Sequence, residues 1–428
     1  MKKPRSPPDL NTLIRNEDFA KQMLSEDVFE LASRYNEAYL HWDDLYYKDV
    51  GHVNREAIWA TMKLVRRSSS RHLKFSGLDI QYNLPDAFQK QIHEIDTRST
   101  TGIMPPELMD KKRSLIYSVS STMEESIASS QIEGAVTTAK AAKTMLRENK
   151  RPKNKSEQMI VNNYDAMKFI KTVLTKDLTP ELICDIHRIV SKGTMDENCT
   201  GKFRDNDDIV VIDVLTEEVS HQPVVHSKIF PMVKDLCDFV NSDVTFVHPI
   251  VKGIIIHFML AYMHPFQDGN GRVSRALFYW YTMKKGYWLM EYLSISKCIK
   301  NHSGKYYRAF MLTETDDNDA TYFIGYNLDI VVEAIGIFEK YLKKKLSDQR
   351  FGLAEIEGAG LNMRQKMIAA DMIRSEDQIS IESLRRTYQV SVNTARSDIA
   401  KLREAGLIQP SSRDGNKILY SYVLDNKS

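Results

Sequence analysis

The stretch that most restricts the fold is "IVKGIIIHFMLAYMHPFQDGNGRVSRALFYWYTMKKG", Ile250 to Gly286. Two apolar runs of helical length flank a loop that holds one histidine, one acid, Gly-Asn-Gly and two arginines. Helices apolar on every side are buried on every side, so the loop is gripped by the core at both ends. The expectation is a mostly helical protein whose centre presents a polar loop. The first run is too short to span a bilayer and contains Lys252 and His257, so no membrane partner is expected.

A chain of 428 residues implies two or three domains. The net charge of +2 sets up no global field toward nucleic acid or membrane, so any basic surface must be local. Cys184, Cys199, Cys237 and Cys298 stand apart from one another. Cys184 and His187 make one CxxH with no second pair to complete a zinc site, so the cysteines read as reduced thiols. "MKKPRSPPDLN" lacks the apolar stretch of a signal peptide, and a cytoplasmic protein is expected.

Residues 1–112 read as helical, with one extended piece at "KFSGLDIQ" before a helix from Pro85, and with no chemistry of their own. Residues 113–345 read as a longer helical domain. It includes a helix at about 118–134 stopped near Gly134, a helix capped by Thr179 with Pro180 at its first position, and a β-branched hairpin at about 209–226. Residues 346–361 are charged and contain glycine, and read as a linker. Residues 362–428 read as three helices and a hairpin.

The second apolar helix should begin near Gly271, which places Gly269, Asn270 and Gly271 at a helix N-terminus. Glycines there expose successive N–H groups, and the helix dipole favours an anion. Arg272 and Arg275, three apart, share a face and make a clamp for a polyphosphate. Asp268 suits Mg²⁺, which takes one or two carboxylates plus phosphate oxygens. His264 is the only base of the string that is neutral near pH 7. Together these are the parts for phosphoryl or nucleotidyl transfer. The loop is not a Walker A motif, since it lacks GKS or GKT and follows no strand.

The string His264-Pro265-Phe266-x-Asp268-Gly269-Asn270-Gly271-Arg272-x-x-Arg275 resembles the signature of Fic-domain proteins at every position. A looser likeness runs from about Leu115 to Lys345 and includes "GKFR" before the hairpin. The resemblance implies a mainly α fold: a helical bundle with a β-hairpin flap, followed here by a C-terminal winged helix. It implies AMP transfer from ATP, with Mg²⁺, to a Ser, Thr or Tyr hydroxyl of a target protein or of the chain itself. In that reading His264 is the base and Asp268 holds the metal. Asn270 and the loop N–H groups hold the α-phosphate, Arg272 and Arg275 engage the β- and γ-phosphates, and Phe266 anchors the loop. The hairpin would pair with the target segment, and Tyr306 and Tyr307 would line an adenosine pocket or else be core residues. "SSQIEG" resembles the inhibitory motif of the same family through Ser129, Glu133 and Gly134, with Glu133 drawing Arg275 away from ATP. A homodimer is a further implication. UMP or phosphate transfer is the alternative chemistry, and a regulator using the Fic fold as a nucleotide sensor is the non-enzymatic alternative.

"TARSDIAKLREAGLI" resembles the second helix of winged helix-turn-helix repressors. Ile399 and Leu402 should face inward, and Asn393, Thr394, Arg396 and Ser397 would meet DNA at the start of that helix. Asp414-Gly415 marks the turn of the wing. Between Asn362 and Ser428, 11 Lys/Arg face 8 Asp/Glu, a mildly basic balance that leaves a protein-interaction module as the alternative to DNA binding.

Overall fold

The computed structural model describes residues 3–100, 105–212, 219–375, 378–414 and 417–423. Among these the chain is mostly helical with three two-stranded antiparallel sheets. It divides into two compact units, Met1–Ile103 with Tyr117–Ile335, and Met104–Ile116 with Gly336–Ser428.

The first unit opens with α1 (Leu10–Leu13), α2 (Glu17–Met23), α3 (Glu26–Glu37), α4 (Trp42–Leu45) and α5 (Arg55–Ser69). Asp9, Asn16, Ser25 and Asn54 start four of them by accepting from first-turn N–H groups. Their apolar faces share a core around Trp42 and Trp59, whose ring centroids are 6.0 Å apart. The single extended piece expected near residue 74 is a complete hairpin, β1 (Arg71–Phe75) and β2 (Leu78–Tyr82). It turns through Ser76-Gly77, and Gly77 takes the positive φ, +89°, that a two-residue turn requires. α6 (Asp86–Ser99) follows Pro85.

The N-terminal helices do not form a domain of their own. Lys63 on α5 donates to Asp316 at 2.7 Å, Arg66 donates to Tyr322 at 2.9 Å, and the Ala320 N–H donates to the Gln81 carbonyl at 2.8 Å. The Lys63–Asp316 pair is almost wholly shielded from water. Removing one partner of such a pair costs about 3–5 kcal/mol, and this is what joins the region to the centre.

After α7 (Pro106–Met109) come α8 (Lys111–Ile132), α9 (Ala139–Arg147), α10 (Lys155–Thr172) and α11 (Pro180–Ser191). Thr179 caps α11 through the Leu182 N–H, with Pro180 at the first position. The strands β3 (Val211–Ile212) and β4 (Val219–His221) pair within the expected hairpin, whose residues 213–218 lie outside the described ones. α12 (His226–Asn241) leads to α13 (Pro249–Met263) and α14 (Asn270–Lys284), the two apolar runs. Gly253 brings these close: a Cβ there would stand 3.0 Å from Thr282 Cγ2 and 3.3 Å from Phe278 Cδ2. α15 (Ile295–Asn301) and α16 (Ser303–Thr315) close the centre, and α17 (Thr321–Gly358) follows.

The stretch 346–361 is not a linker, since α17 carries helix as far as Gly358. Gly352 is a packing position there: a Cβ would meet Ile373 Cδ1 at 2.7 Å. α17 is long and apolar enough to cross a membrane by length and composition, but 67% of its most apolar window is buried within the protein, as in a core helix.

The second unit ends in α18 (Met363–Ser375), α19 (Ile381–Tyr388), α20 (Val392–Glu404), β5 (Ile408–Asp414) and β6 (Lys417–Tyr422). This is the expected winged helix. Ile399 and Leu402 point into a core with Leu384, Ala395, Leu407 and Tyr420. Ser380 and Ser391 cap α19 and α20. Gly415, the second residue of the expected wing turn, lies outside the described residues.

Candidate active site

The polar loop joins α13 to α14 through two left-handed residues, His264 (φ +49°) and Gly269 (φ +86°). A histidine in that region is uncommon and is held there by its surroundings. Phe266 is fully buried, and its ring stacks on His187 of α11, with centroids 3.7 Å apart and planes 4° apart. The His187 Nδ1 accepts from the Gly201 N–H at 3.0 Å, so Nε2 carries the hydrogen and donates to the Asp268 carbonyl at 2.9 Å. Burial, together with the nearby Arg272, lowers the His187 pKa to about 4 and fixes this neutral form. His187 is the half of the CxxH that matters: a histidine on the apolar face of an amphipathic helix, aimed at the loop.

Burial also lowers the pKa of His264 to about 4, aided by the charge of Arg204. Its Nδ1 faces the Ala261 carbonyl at 3.3 Å. With the hydrogen on Nδ1, Nε2 keeps its lone pair, the form of a general base at neutral pH.

The Asn270 amide, assigned to the α-phosphate by resemblance, is spent inside the loop. Its Oδ1 accepts from the Phe266 N–H at 2.9 Å, and its Nδ2 donates to the Phe266 carbonyl at 2.8 Å. What position 270 offers an anion is its main-chain N–H. The N–H groups of Asn270, Gly271 and Arg272 fall in the first turn of α14, where no carbonyl of the helix faces them.

Arg272 and Arg275 are both buried. Arg272 donates to the Val190 carbonyl at 3.3 Å and to Asp268 Oδ1 at 3.2 Å. Arg275 donates through Nε to Ser129 Oγ at 2.9 Å, and through Nη2 to the Ser129 carbonyl at 3.0 Å and Glu133 Oε1 at 2.9 Å. Each guanidinium keeps one buried nitrogen, Arg272 Nε and Arg275 Nη1, with no hydrogen-bond partner among the described residues. Buried donors of this kind are costly unless something accepts from them. Asp268 is half-exposed, and its bonds to Arg272 and to the Gly269 N–H both fall on Oδ1.

Glu133 follows the last residue of α8 and precedes Gly134, whose φ is +89°. Its carboxylate fills the space over Gly271: a Cβ built there would stand 2.2 Å from Glu133 Oε1 and 3.0 Å from Arg275 Nη1. Four residues apart along α8 and just past its end come Glu125, Ser129 and Glu133, and four apart on α14 come Gly271, Arg275 and Tyr279. They meet in antiparallel order. Buried Glu125 accepts from the Tyr279 hydroxyl at 2.9 Å and the Ser296 N–H at 2.9 Å, and also from the Ser296 hydroxyl. Sequence reasoning misses this first rung, whose one signal is an acid at helical spacing from Ser129.

The two tyrosines proposed for an adenosine pocket separate. Tyr306 is buried with its hydroxyl 2.9 Å from His257 Nε2, whereas Tyr307 is exposed. His221 of β4 lies 2.7 Å from the Tyr262 carbonyl and 2.8 Å from Glu314. On α20, Asn393, Arg396 and Ser397 are exposed and Thr394 is half-buried, bonded to the capping Ser391. Among the described residues no group of three or more His, Cys, Asp or Glu is arranged for a metal.

Residues 177–282 match the Fic/DOC family, and residues 364–410 match the DeoR-like helix-turn-helix domain. A 125-residue stretch is 32% identical to the protein adenylyltransferase Fic of Drosophila willistoni, covering 28% of this chain and 23% of that one. A 177-residue stretch is 28% identical to the protein of the same name from Aedes aegypti, covering 40% and 32%. The matched segment thus spans about a quarter to a third of the length of these curated relatives. The crystal structure of a Fic family protein from Desulfovibrio desulfuricans superposes with a TM-score of 0.53 over 79% of this chain and 96% of that one, at 19% identity, a likeness of fold. The chain therefore carries a Fic/DOC-family domain, with the polar loop and His264 inside it, and a DeoR-like helix-turn-helix domain behind it.

Proposed function

We propose that the protein is an ATP-dependent protein adenylyltransferase held in a restrained state by Glu133. The observation that carries this is the pair of buried, unsatisfied guanidinium nitrogens beside the first turn of α14, with a neutral imidazole at the mouth of the same loop. N–H groups at a helix start, two guanidiniums and a helix dipole are the recognition chemistry of a polyphosphate. The target hydroxyl oxygen attacks the α-phosphorus, the bond from that phosphorus to the bridging oxygen of the β-phosphate breaks, and pyrophosphate leaves with the electron pair. His264 Nε2 takes the hydroxyl proton. Asp268 is the residue that would hold Mg²⁺. One half-exposed carboxylate fits an ion that draws its other ligands from phosphate and water, and such an ion would neutralise charge on the departing pyrophosphate. The strands β3 and β4 present the target segment. The names of the curated relatives favour AMP over UMP or phosphate.

In the restrained state Arg275 is held by Glu133 and Ser129, and only its Nη1 is free for an anion. The winged helix is assigned to DNA through α20, with Asn393, Arg396 and Ser397 facing outward, in line with the helix-turn-helix match. We place the reaction in the cytoplasm, where ATP is supplied and the four free cysteines stay reduced.

The test uses ATP labelled at the α- or the γ-phosphate, with wild type, Glu133→Gly, and Glu133→Gly combined with His264→Ala. α-Label on protein that is strong in Glu133→Gly, weak in wild type and absent in the double variant supports the proposal. Label from the γ-position alone moves the assignment to kinase chemistry. No label from either, alongside ATP-dependent operator binding, favours a nucleotide-sensing regulator.

A further inference from the structure

The "GKFR" segment has no role in the transfer step described above, yet it lies against the first three residues of the loop, His264 to Phe266, and against His187, which stacks on Phe266. The Gly201 N–H meets His187, and the Phe203 ring packs on Phe266 with centroids 5.2 Å apart. Arg204 donates its main-chain N–H to the Pro265 carbonyl at 2.9 Å. Its side chain is almost completely shielded, with 1% of its surface exposed. Nε donates to the carbonyl of His264 itself at 2.9 Å. Nη1 donates to the Asn206 carbonyl at 2.7 Å and to Asp207 Oδ1 at 2.9 Å, and Nη2 donates to the Val224 carbonyl. Asn206 and Asp207 enter the hairpin that holds β3 and β4, and Val224 leaves it. Asp207 also ties the two stems together, accepting from the His226 N–H at 2.6 Å and lying 2.9 Å from its ring.

One planar, permanently charged group therefore holds the carbonyl of the base and both stems of the hairpin in a single fork. Lysine, a point donor, cannot reproduce that fork. We infer that Arg204 is a positioning residue that sets the hairpin and the His264 loop as one body, so that a hydroxyl presented on the hairpin arrives in register with Nε2. The inference rests on the transfer reading for its catalytic consequence. The geometric coupling stands on the contacts alone. The nucleotide is held elsewhere, by α14 and the two arginines, so Arg204 governs alignment and not ATP affinity.

The experiment compares Arg204→Lys and Asp207→Asn, each in the Glu133→Gly background, by three readouts: transfer kinetics, ATP binding by calorimetry, and backbone hydrogen exchange. Misplacing reacting groups by about 1 Å costs on the order of a hundredfold in rate. Arg204→Lys is expected to lower kcat at least about tenfold, to leave the ATP Kd within about twofold, and to speed exchange in both the hairpin stems and residues 264–270. Asp207→Asn, which weakens the stem contacts and one bond of the Arg204 fork but leaves the bond from Arg204 Nε to the His264 carbonyl, should speed exchange in the stems alone. Transfer within twofold of the parent, or unchanged exchange in Arg204→Lys, would overturn the inference. So would a chain-wide rise in exchange with loss of ATP binding, which marks a merely structural residue. If Glu133→Gly itself transfers nothing, the reaction reading has failed, and the exchange pattern still decides whether Arg204 couples the hairpin to the loop.

Discussion

Gly271→Ala separates the anion nest from the inhibitory contact more sharply than removal of Glu133 does. The added Cβ would fall 2.2 Å from Glu133 Oε1 and 2.9 Å from its Cδ, so the carboxylate cannot stay. Position 271 has helical φ and lies in the first turn of α14, so alanine brings no backbone strain and favours the helix by up to about 1 kcal/mol. The Glu133 side chain is 26% exposed at the end of its helix and has room to swing outward. What is lost is a charge-assisted hydrogen bond of 2.9 Å to Arg275, a contact of about 1.5–3 kcal/mol. That shifts the restrained–open balance about 10- to 150-fold. Self-labelling from α-labelled ATP should therefore rise at least tenfold over wild type, with a melting temperature slightly lower, because the lost bond outweighs the helix gain. Because the two changes remove the same contact, Gly271→Ala with Glu133→Gly should match Glu133→Gly alone, a non-additive pair. A Gly271→Ala protein as silent as wild type, beside an active Glu133→Gly, would refute the seat assigned to the carboxylate. A double variant well below Glu133→Gly would show instead that the Cβ intrudes on the phosphates.

Acid should unfold the first unit early. His41 and His187 are fully buried, and desolvation lowers each to a pKa of about 4, against about 6.5 in an unfolded chain. Below pH 6.5 the unfolded chain binds protons that the folded one refuses, so stability falls as pH drops from 6.5 toward 4, by up to about 1.4 kcal/mol per pH unit for each group. Urea midpoints at pH 7 and pH 5 measure this, and equal midpoints would contradict it. At the winged helix, Arg396→Ala should weaken binding to a duplex selected from a random pool by about 1–3 kcal/mol if the side chain reads a base. Anisotropy titrations that give the same affinity for both proteins would remove Arg396 from the interface.

The loop is legible in the sequence because its signals are local. Gly269 at a helix start, arginines three apart and a histidine closing an apolar run all follow from helix geometry over a dozen residues. The winged helix is legible for a similar reason, with capping serines and an apolar spacing inside one short segment. The parts that hold the loop are not local. His187 is 81 positions from the carbonyl it supports, Arg204 is 60 from His264, and Ser129 is 146 from Arg275. Nothing in the periodicity of either partner marks such a pairing. The Asn270 amide shows the opposite failure: a polar side chain in a binding loop invites a ligand role, but a fully buried amide takes the nearest backbone donor and acceptor first. The supposed linker reads as one from its charges and glycines, although Lys, Glu, Leu and Ala are good helix formers and Gly352 is where a neighbouring side chain needs room.

The meeting of α8 and α14 carries a last consequence. Once Ser129 is bonded to Arg275, a spacing of four along two antiparallel helices sends Glu125 to Tyr279 and Glu133 to Gly271, with no further freedom of register. Restraint is then a property of the helix pair, and the acid must stand at position 133 and no other. Exchanging neighbours, Ile132→Glu with Glu133→Ile, keeps composition and charge but turns the carboxylate by about 100° around the axis. It leaves Arg275 its Ser129 bonds and removes the Glu133 bond. That variant should label itself from α-labelled ATP as strongly as Glu133→Gly. If it stays as quiet as wild type, a negative charge anywhere near the end of α8 suffices, and the rung-by-rung register argued from Glu125, Ser129 and Glu133 is wrong.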